Sequence, residues 1–244
     1  MSAASTGTPP VQPVLSESDR RKYDTAPDAY WYNTPRLVFH VDSSFTSKLT
    51  DLYRERIPAG GTVLDMMSSW VSHLPSDVRY AQVDGHGLNR EELQRNPQLT
   101  DIRVQDLNAD PYLPFDSEQY DAVVCAVSVQ YLQQPERIFG DVYRVLKPGG
   151  VAIFSFSNRM FGNKAITAWI DRDDAGRAAL VSSYFRSVQP VGEAGSPQGF
   201  TEPEVIMKDA SIAGIFASFA REVVGLNVGG DPFIAVVAYK DYKP

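Results

Sequence analysis

A chain of 244 residues with 43% hydrophobic and 22% charged content is sized for one generous domain, and its single cysteine excludes an internal disulfide. A formal net charge of −7 opposes a phosphate backbone, and the longest basic run, Arg20-Arg21-Lys22, sits beside acids. Nucleic acid is therefore not an expected partner. No stretch approaches the roughly 20 apolar residues of a bilayer span, so no membrane association is expected either.

The first residues are rich in Ser, Thr, Pro and Ala, and the first basic residue is Arg20, after Glu17 and Asp19. Residues 1–22 read as a flexible tail without an export or import leader, and the protein as cytoplasmic. Residues 23–60 form an N-terminal lid and helix segment. Its aromatic run Tyr30-Trp31-Tyr32 suits either a cover over a site or packing against the sheet. A helix is entered near Thr34-Pro35, with Leu37, Val41, Phe45, Leu49, Leu52 and Tyr53 on one face, and stops before Pro58.

Residues 61–244 carry the main domain. Short apolar segments at 62–66, 78–83, 101–105, 120–127 and 151–156 read as strands buried on both sides. Cys125 lies within the fourth, where a buried, inert thiol is expected. Asn89 with Glu92 forms a helix entry, and Pro135 with Glu136 opens another helix, whose buried face is Ile138, Phe139, Val142, Tyr143 and Leu146. Lys147-Pro148-Gly149-Gly150 turns the chain. Further helices are expected at 166–170, at 178–185 and after the capping box Thr201-Glu202-Pro203-Glu204. Segments 222–228 and 233–239 read as a closing hairpin.

This alternation predicts an α/β fold: a Rossmann-like, doubly wound, mostly parallel seven-stranded sheet with helices on both faces and a C-terminal antiparallel hairpin. Ligands of such sheets bind beyond the carboxyl ends of the strands. Acids stand at three successive strand exits: Asp65, Asp84 and Asp106. A G-x-G-x-x-G loop, a G-x-S-x-G elbow and metal-ligand spacing of His40, His73 and His86 are all missing. Nicotinamide, serine-hydrolase and metal chemistry are not expected.

Val63-Leu64-Asp65, Val83-Asp84, Gln105-Asp106-Leu107, Pro114-Phe115-Asp116, Tyr120-Asp121-Ala122-Val123 and Arg144-Val145-Leu146-Lys147-Pro148-Gly149-Gly150 follow one another in order. Across residues 61–157 this resembles the class I S-adenosylmethionine (SAM) methyltransferases, and among them the type 11 methyltransferase domain group. The resemblance implies SAM as cofactor and transfer of its methyl to a small-molecule acceptor. By that resemblance Asp84 holds the ribose hydroxyls, Asp106 accepts from the adenine amino group with Leu107 beside the ring, and Asp65 organises the loop or reaches the methionine end.

The loop departs from the family pattern. Met67, Ser69 and Val71 stand where the family places glycines, and bulk there resists positive φ. Ser68 and Ser69 are expected to donate to the methionine carboxylate, Gly85 and Gly87 to widen the other wall, and Tyr30 and Tyr32 to lie near the sulfonium. The alternative is a non-catalytic SAM-fold interaction or regulatory protein with a degenerate loop. His40, His73, Tyr131 and Arg159 are the candidate groups for proton transfer. Residues 158–214 are expected to face the acceptor, with Phe161, Trp169, Tyr184 and Phe185 as contacts or core. The acceptor and the oligomeric state are not readable.

Overall fold

Strand β4 (Tyr120–Ala126) is apolar on both faces and lies inside the sheet, as its continuous hydrophobic run requires. The computed structural model describes residues 7–190, 198–208 and 230–242. Its other strands are β1 (Thr62–Asp65), β2 (Gln82–Gly87), β3 (Asp101–Val104), β5 (Leu146–Phe156), β6 (Glu204–Lys208) and β7 (Phe233–Tyr239). They form one sheet in the order β3-β2-β1-β4-β5-β7-β6. The pairs β3–β2, β2–β1, β1–β4 and β4–β5 are parallel, whereas β7 runs antiparallel to β5 and β6. The expected doubly wound sheet with antiparallel C-terminal strands is present. Strand order reverses between β1 and β4, which fixes where a ligand crevice can open.

Alternate side chains of the strands feed two cores. On one face Leu64, Val123, Cys125 and Phe154 pack with the helices α4 (Pro135–Val145) and α6 (Asp174–Ser187). On the other, Val63, Val124, Ile153 and Val237 pack against α2 (Ser43–Arg56). Three short helices, α1 (Asp28–Trp31), α3 (Arg90–Gln94) and α5 (Thr167–Ile170), and a 3-10 turn at Val129–Tyr131 complete the described elements.

Five expectations need correction. Helix α2 starts at Ser43 because Asp42 caps it, its carboxylate accepting from Phe45 N–H at 2.8 Å. Leu37 is accordingly exposed. Strand β2 begins at Gln82 instead of 78, so Asp84 lies in mid-strand. Its run Asp84-Gly85-His86-Gly87 reads as a loop by composition, yet β1 and β3 hold the backbone on both sides.

The segment after Thr201 is a strand, not a helix. Thr201 N–H already donates to Tyr239 at 2.9 Å, and β6 continues that pairing along the edge of β7. The hairpin partner expected at 222–228 lies outside the described residues. Lys147-Pro148-Gly149-Gly150 is a bulge inside β5, where the register against β4 shifts and Gly149 adopts φ +79°.

The N-terminal segment is not a loose tail from residue 8 onward. Val14 and Leu15 N–H donate to Glu136 Oε1 at 2.8 and 2.9 Å, and the Arg20 guanidinium bridges both oxygens of the same carboxylate at 2.8 and 2.9 Å. Leu15 is buried against the core, so the strap is both polar and apolar in its attachment. Residues 1–6 lie outside the described residues.

Candidate active site

The carboxyl ends of β1 to β5 surround a cavity of about 690 Å³, roofed by residues 32–41. That volume lies within the range of small-molecule sites, roughly 300–1,000 Å³. Its walls contain two β-strand exits with strained backbone. Met67, after β1, has φ +56°, and Val127, after β4, has φ +48°. Left-handed φ in these residue types costs on the order of 1–3 kcal/mol and is concentrated where a site dictates backbone shape. The loop keeps the left-handed turn with methionine in glycine's place.

What holds the glycine-poor loop is a set of side-chain and backbone bonds. Ser68 Oγ donates to Asp65 at 2.6 Å, and Ser68 N–H donates to the His86 carbonyl at 2.6 Å. Ser69 Oγ donates to Glu92 at 2.7 Å, and Asn96 Nδ2 donates to the Ser69 carbonyl at 3.1 Å. The indole N–H of Trp70 reaches the Val38 carbonyl in the roof at 3.2 Å. Both serine hydroxyls expected to serve the cofactor thus have protein acceptors.

The end of β2 is shaped by this loop. A Cβ on Gly87 would stand 2.5 Å from the Ser68 carbonyl oxygen, so only glycine allows the loop to lie against the strand. Asp84, three residues earlier, does not line the cavity. It is 3% exposed and accepts from the Tyr120 hydroxyl at 2.6 Å and from Gln82 Nε2 at 2.8 Å. The ribose role expected of Asp84 is therefore geometrically closed to it: a mid-strand side chain points into the core. Gly85 also lies off the cavity, with Leu99 against its Cα, whereas Gly87 lines it.

The remaining expected residues other than Tyr30 come together. Asp65, Ser68, Ser69, Asp106, Leu107, Tyr32, His40, His73, Tyr131 and Arg159 all line the cavity. Burial raises the Asp65 carboxyl to about 7, although Ser68 and Ser72 hydrogen bonds oppose the shift. Asp106 accepts from Asn108 N–H at 2.9 Å through Oδ1, and its Oδ2 has no hydrogen-bond partner among the described residues. Tyr131 accepts from Phe161 N–H at 2.9 Å, and burial raises its phenol above the ordinary range. It thus keeps its proton at neutral pH. Arg159 donates to Asp231 at 2.5 Å and is an ion-paired wall residue. Burial lowers His73, with the nearby His40 adding to the effect, so its imidazole is neutral at pH 7.

Tyr30 is 77% exposed and does not line the cavity. Trp31 turns inward instead and meets Phe161 edge-on at 5.7 Å. Of the aromatics expected to face an acceptor, only Phe161 lines the cavity; Trp169, Tyr184 and Phe185 are buried core.

Sequence reasoning missed three wall residues. Glu92, 6% exposed, accepts from Ser69 and from Arg36 N–H at 2.6 Å. Arg36 lies in the roof among aromatic rings. His86 has neither ring nitrogen bonded among the described residues, and burial lowers its imidazole to about 4. The Asn89–Glu92 pair was visible as a helix entry, but its fourth residue reads as a capping partner and not as a cavity wall.

Residues 65–154 match a sequence family described as a methyltransferase domain. That match spans β1 to β5, the part of the sheet that lines the cavity. The chain is 30% identical over 149 residues to a mitochondrial 2-methoxy-6-polyprenyl-1,4-benzoquinol methylase of Caenorhabditis elegans, covering 56% of this chain and 49% of the relative. It is 29% identical over 126 residues to a chloroplastic 2-methyl-6-phytyl-1,4-hydroquinone methyltransferase 2 of Oryza sativa subsp. japonica, covering 50% of this chain and 34% of the relative. The chain thus spans half or less of these relatives' lengths.

Among solved structures, the fold of the chain resembles that of phosphoethanolamine N-methyltransferase 2 of Haemonchus contortus in complex with S-adenosyl-L-methionine. The TM-score is 0.52 at 15% identity, over 93% of this chain and 60% of that one. A putative methyltransferase crystallised with the Trm112 activator of Haloferax volcanii gives 0.51 at 15% identity, over 82% and 95%. These likenesses concern the fold.

Proposed function

We propose that this protein transfers the methyl group of SAM to a small-molecule acceptor inside the cavity roofed by residues 32–41. The observation that carries the reading is the cavity's position, at the carboxyl ends of β1 to β5 where strand order reverses. The family match and the names of the relatives agree with it.

The walls fit the cofactor at its nucleoside end. Asp106 has a carboxylate oxygen free to accept from an adenine amino group, and Leu107 lines the same wall. Glu92 replaces Asp84 as the acceptor for ribose hydroxyls, because it is the carboxylate just past β2 that lines the cavity. An ionised carboxylate is acceptor-only with several lone-pair sites, so bonds from Ser69 and Arg36 leave capacity for a ligand hydroxyl. Both nitrogens of His86, buried and unbonded, are further polar atoms awaiting a partner.

SAM supplies an activated sulfonium methyl, and the protein's task is alignment and exclusion of water. Positioning alone supplies about 7–11 kcal/mol of such a barrier. The roof does this by wrapping Tyr32, Val38 and His40 over the strand exits. Tyr131 and Phe161, ring centroids 6.1 Å apart at 25°, give the acceptor wall an aromatic lining. An aromatic acceptor with a ring hydroxyl suits that wall and parallels the quinol chemistry in the relatives' names. His40 and His73, both lining the cavity and both held neutral at pH 7 by burial, are groups able to take an acceptor proton.

A second reading, a fold kept for a partner without cofactor, is favoured by one observation: the Ser68 and Ser69 hydroxyls are already bonded within the protein. Calorimetry with S-adenosylhomocysteine separates the two. Saturable binding supports the transferase, and no heat at millimolar ligand supports the partner protein.

A further inference from the structure

The roof of the cavity carries a cation, Arg36, that makes no ion pair among the described residues. The Arg36 guanidinium carbon stands 4.6 Å from the Trp31 ring centroid, 5.3 Å from Phe161 and 5.6 Å from Tyr32. Stacking on aromatic faces fixes the plane of a guanidinium and leaves its N–H edge for recognition. Its Nη1 is buried and has no hydrogen-bond partner, and Arg36 makes no ion pair among the described residues. The backbone beside it is anchored, since Arg36 N–H donates to Glu92 at 2.6 Å.

Other cations at or near this cavity are accounted for. Arg159 donates to Asp231 at 2.5 Å, and Lys22 and Lys164 lie 2.5 and 3.4 Å from Asp28. A buried guanidinium nitrogen without an acceptor is rare, because its desolvation is uncompensated. Arg36 is held, oriented and lacking an acceptor, and it lines the cavity.

From this we infer that Arg36 is a ligand-binding residue that takes a carboxylate inside the cavity. A carboxylate is the match to a planar guanidinium edge, offering two acceptor oxygens to paired N–H donors. A single negative charge also suits walls that already contain Asp28, Asp65, Glu92 and Asp106. This deepens the proposed function and rests on ligand binding in that cavity. Two sources carry such a group: the amino-acid end of the cofactor, whose expected serine donors are bonded elsewhere, or an acidic acceptor.

The test compares the wild-type protein with Arg36→Gln and Arg36→Lys by calorimetry, after circular dichroism and melting confirm folded variants. Three probes are used: S-adenosylhomocysteine, 5′-methylthioadenosine, which lacks the amino-acid end, and benzoate added to nucleoside-loaded protein. If the carboxylate is the cofactor's, Arg36→Gln weakens S-adenosylhomocysteine by about ten- to hundred-fold, Arg36→Lys weakens it less, and methylthioadenosine is unaffected. If it is the acceptor's, S-adenosylhomocysteine is unaffected, and benzoate binds wild type but not Arg36→Gln. Equal binding of both carboxylates by all three proteins overturns the inference, and so does a parallel loss of methylthioadenosine. Should the wild type bind neither nucleoside, the transferase reading fails. Benzoate titrated into the free proteins then still tests Arg36, and equal binding or no binding counts against it.

Discussion

Ser69 Oγ lies 2.7 Å from Glu92 Oε2, and this bond joins the loop after β1 to the helix after β2. The loop has no glycine to shape it, so its course is set by partners outside it. Glu92→Ala removes the acceptor of both Ser69 Oγ and Arg36 N–H. We expect a loss of about 2–3 kcal/mol in urea unfolding, against about 1 kcal/mol for Ser69→Ala. S-adenosylhomocysteine affinity falls in Glu92→Ala as well. Two variants that unfold like wild type would show that the loop is held by other means.

Asp84 and Tyr120 test the opposite assignment. The phenol donates to the carboxylate at 2.6 Å inside the sheet, away from the cavity. Tyr120→Phe strips a buried carboxylate of a donor and is expected to cost about 1–3 kcal/mol of stability. Nucleoside affinity should be unchanged at a temperature where the variant is folded. A selective loss of binding with normal melting would return Asp84 to the ligand.

Two buried groups give opposite pH slopes. Asp65 is raised from its ordinary value to about 7, so the folded state holds its proton more tightly than the unfolded state. Its contribution is greatest at acid pH and is lost as pH rises from about 4 to about 7. Asp65→Asn should therefore gain stability over wild type at pH 8, by a few kcal/mol at most, with the gain vanishing near pH 4. His86 is lowered to about 4, so stability is lost as pH falls from about 6.5 to about 4. His86→Leu should flatten that acid limb. Melting temperatures across pH 4–8 read both slopes, and parallel wild-type and variant curves would contradict them.

The strap over α4 is a third structural device. Glu136 is buried, which favours its neutral form, but Arg20 and backbone N–H donors outweigh that and hold the carboxyl below its usual range. Glu136→Ala leaves the Val14 and Leu15 amides without their acceptor and takes from the Arg20 guanidinium its buried carboxylate, leaving it the Gln133 and Leu15 carbonyls. A loss of about 3–5 kcal/mol is expected in denaturant unfolding. Rapid proteolysis within residues 7–22 should accompany it, and an uncut, fully stable variant would show that the strap is held by Leu15 packing alone.

Much of the sheet was legible because its central strands are continuous apolar runs and α4 has a clean amphipathic face. Asp65, Asp106 and Leu107 could be placed from strand exits alone. Asp84 was misplaced by three residues because Gly85 and Gly87 look like a loop. They serve instead as the flat strand surface against which Leu99 and the Ser68 carbonyl lie. Arg36 carries no local signal, and Glu92 signals only a helix entry. Their roles arise where the roof meets α3, a contact between residues 56 positions apart that periodicity cannot report. The strap and β6 were missed for a related reason: their order comes from α4 and β7, not from their own composition.

The central claim, that the cavity holds SAM's nucleoside against Asp106, Leu107 and Glu92, is tested most directly by titrating S-adenosylhomocysteine into wild type and Asp106→Asn by calorimetry. The predicted result is saturable heat with one ligand per chain in wild type and clearly weaker binding in the variant. An absence of heat at millimolar ligand, or equal affinity in the two proteins, would contradict it.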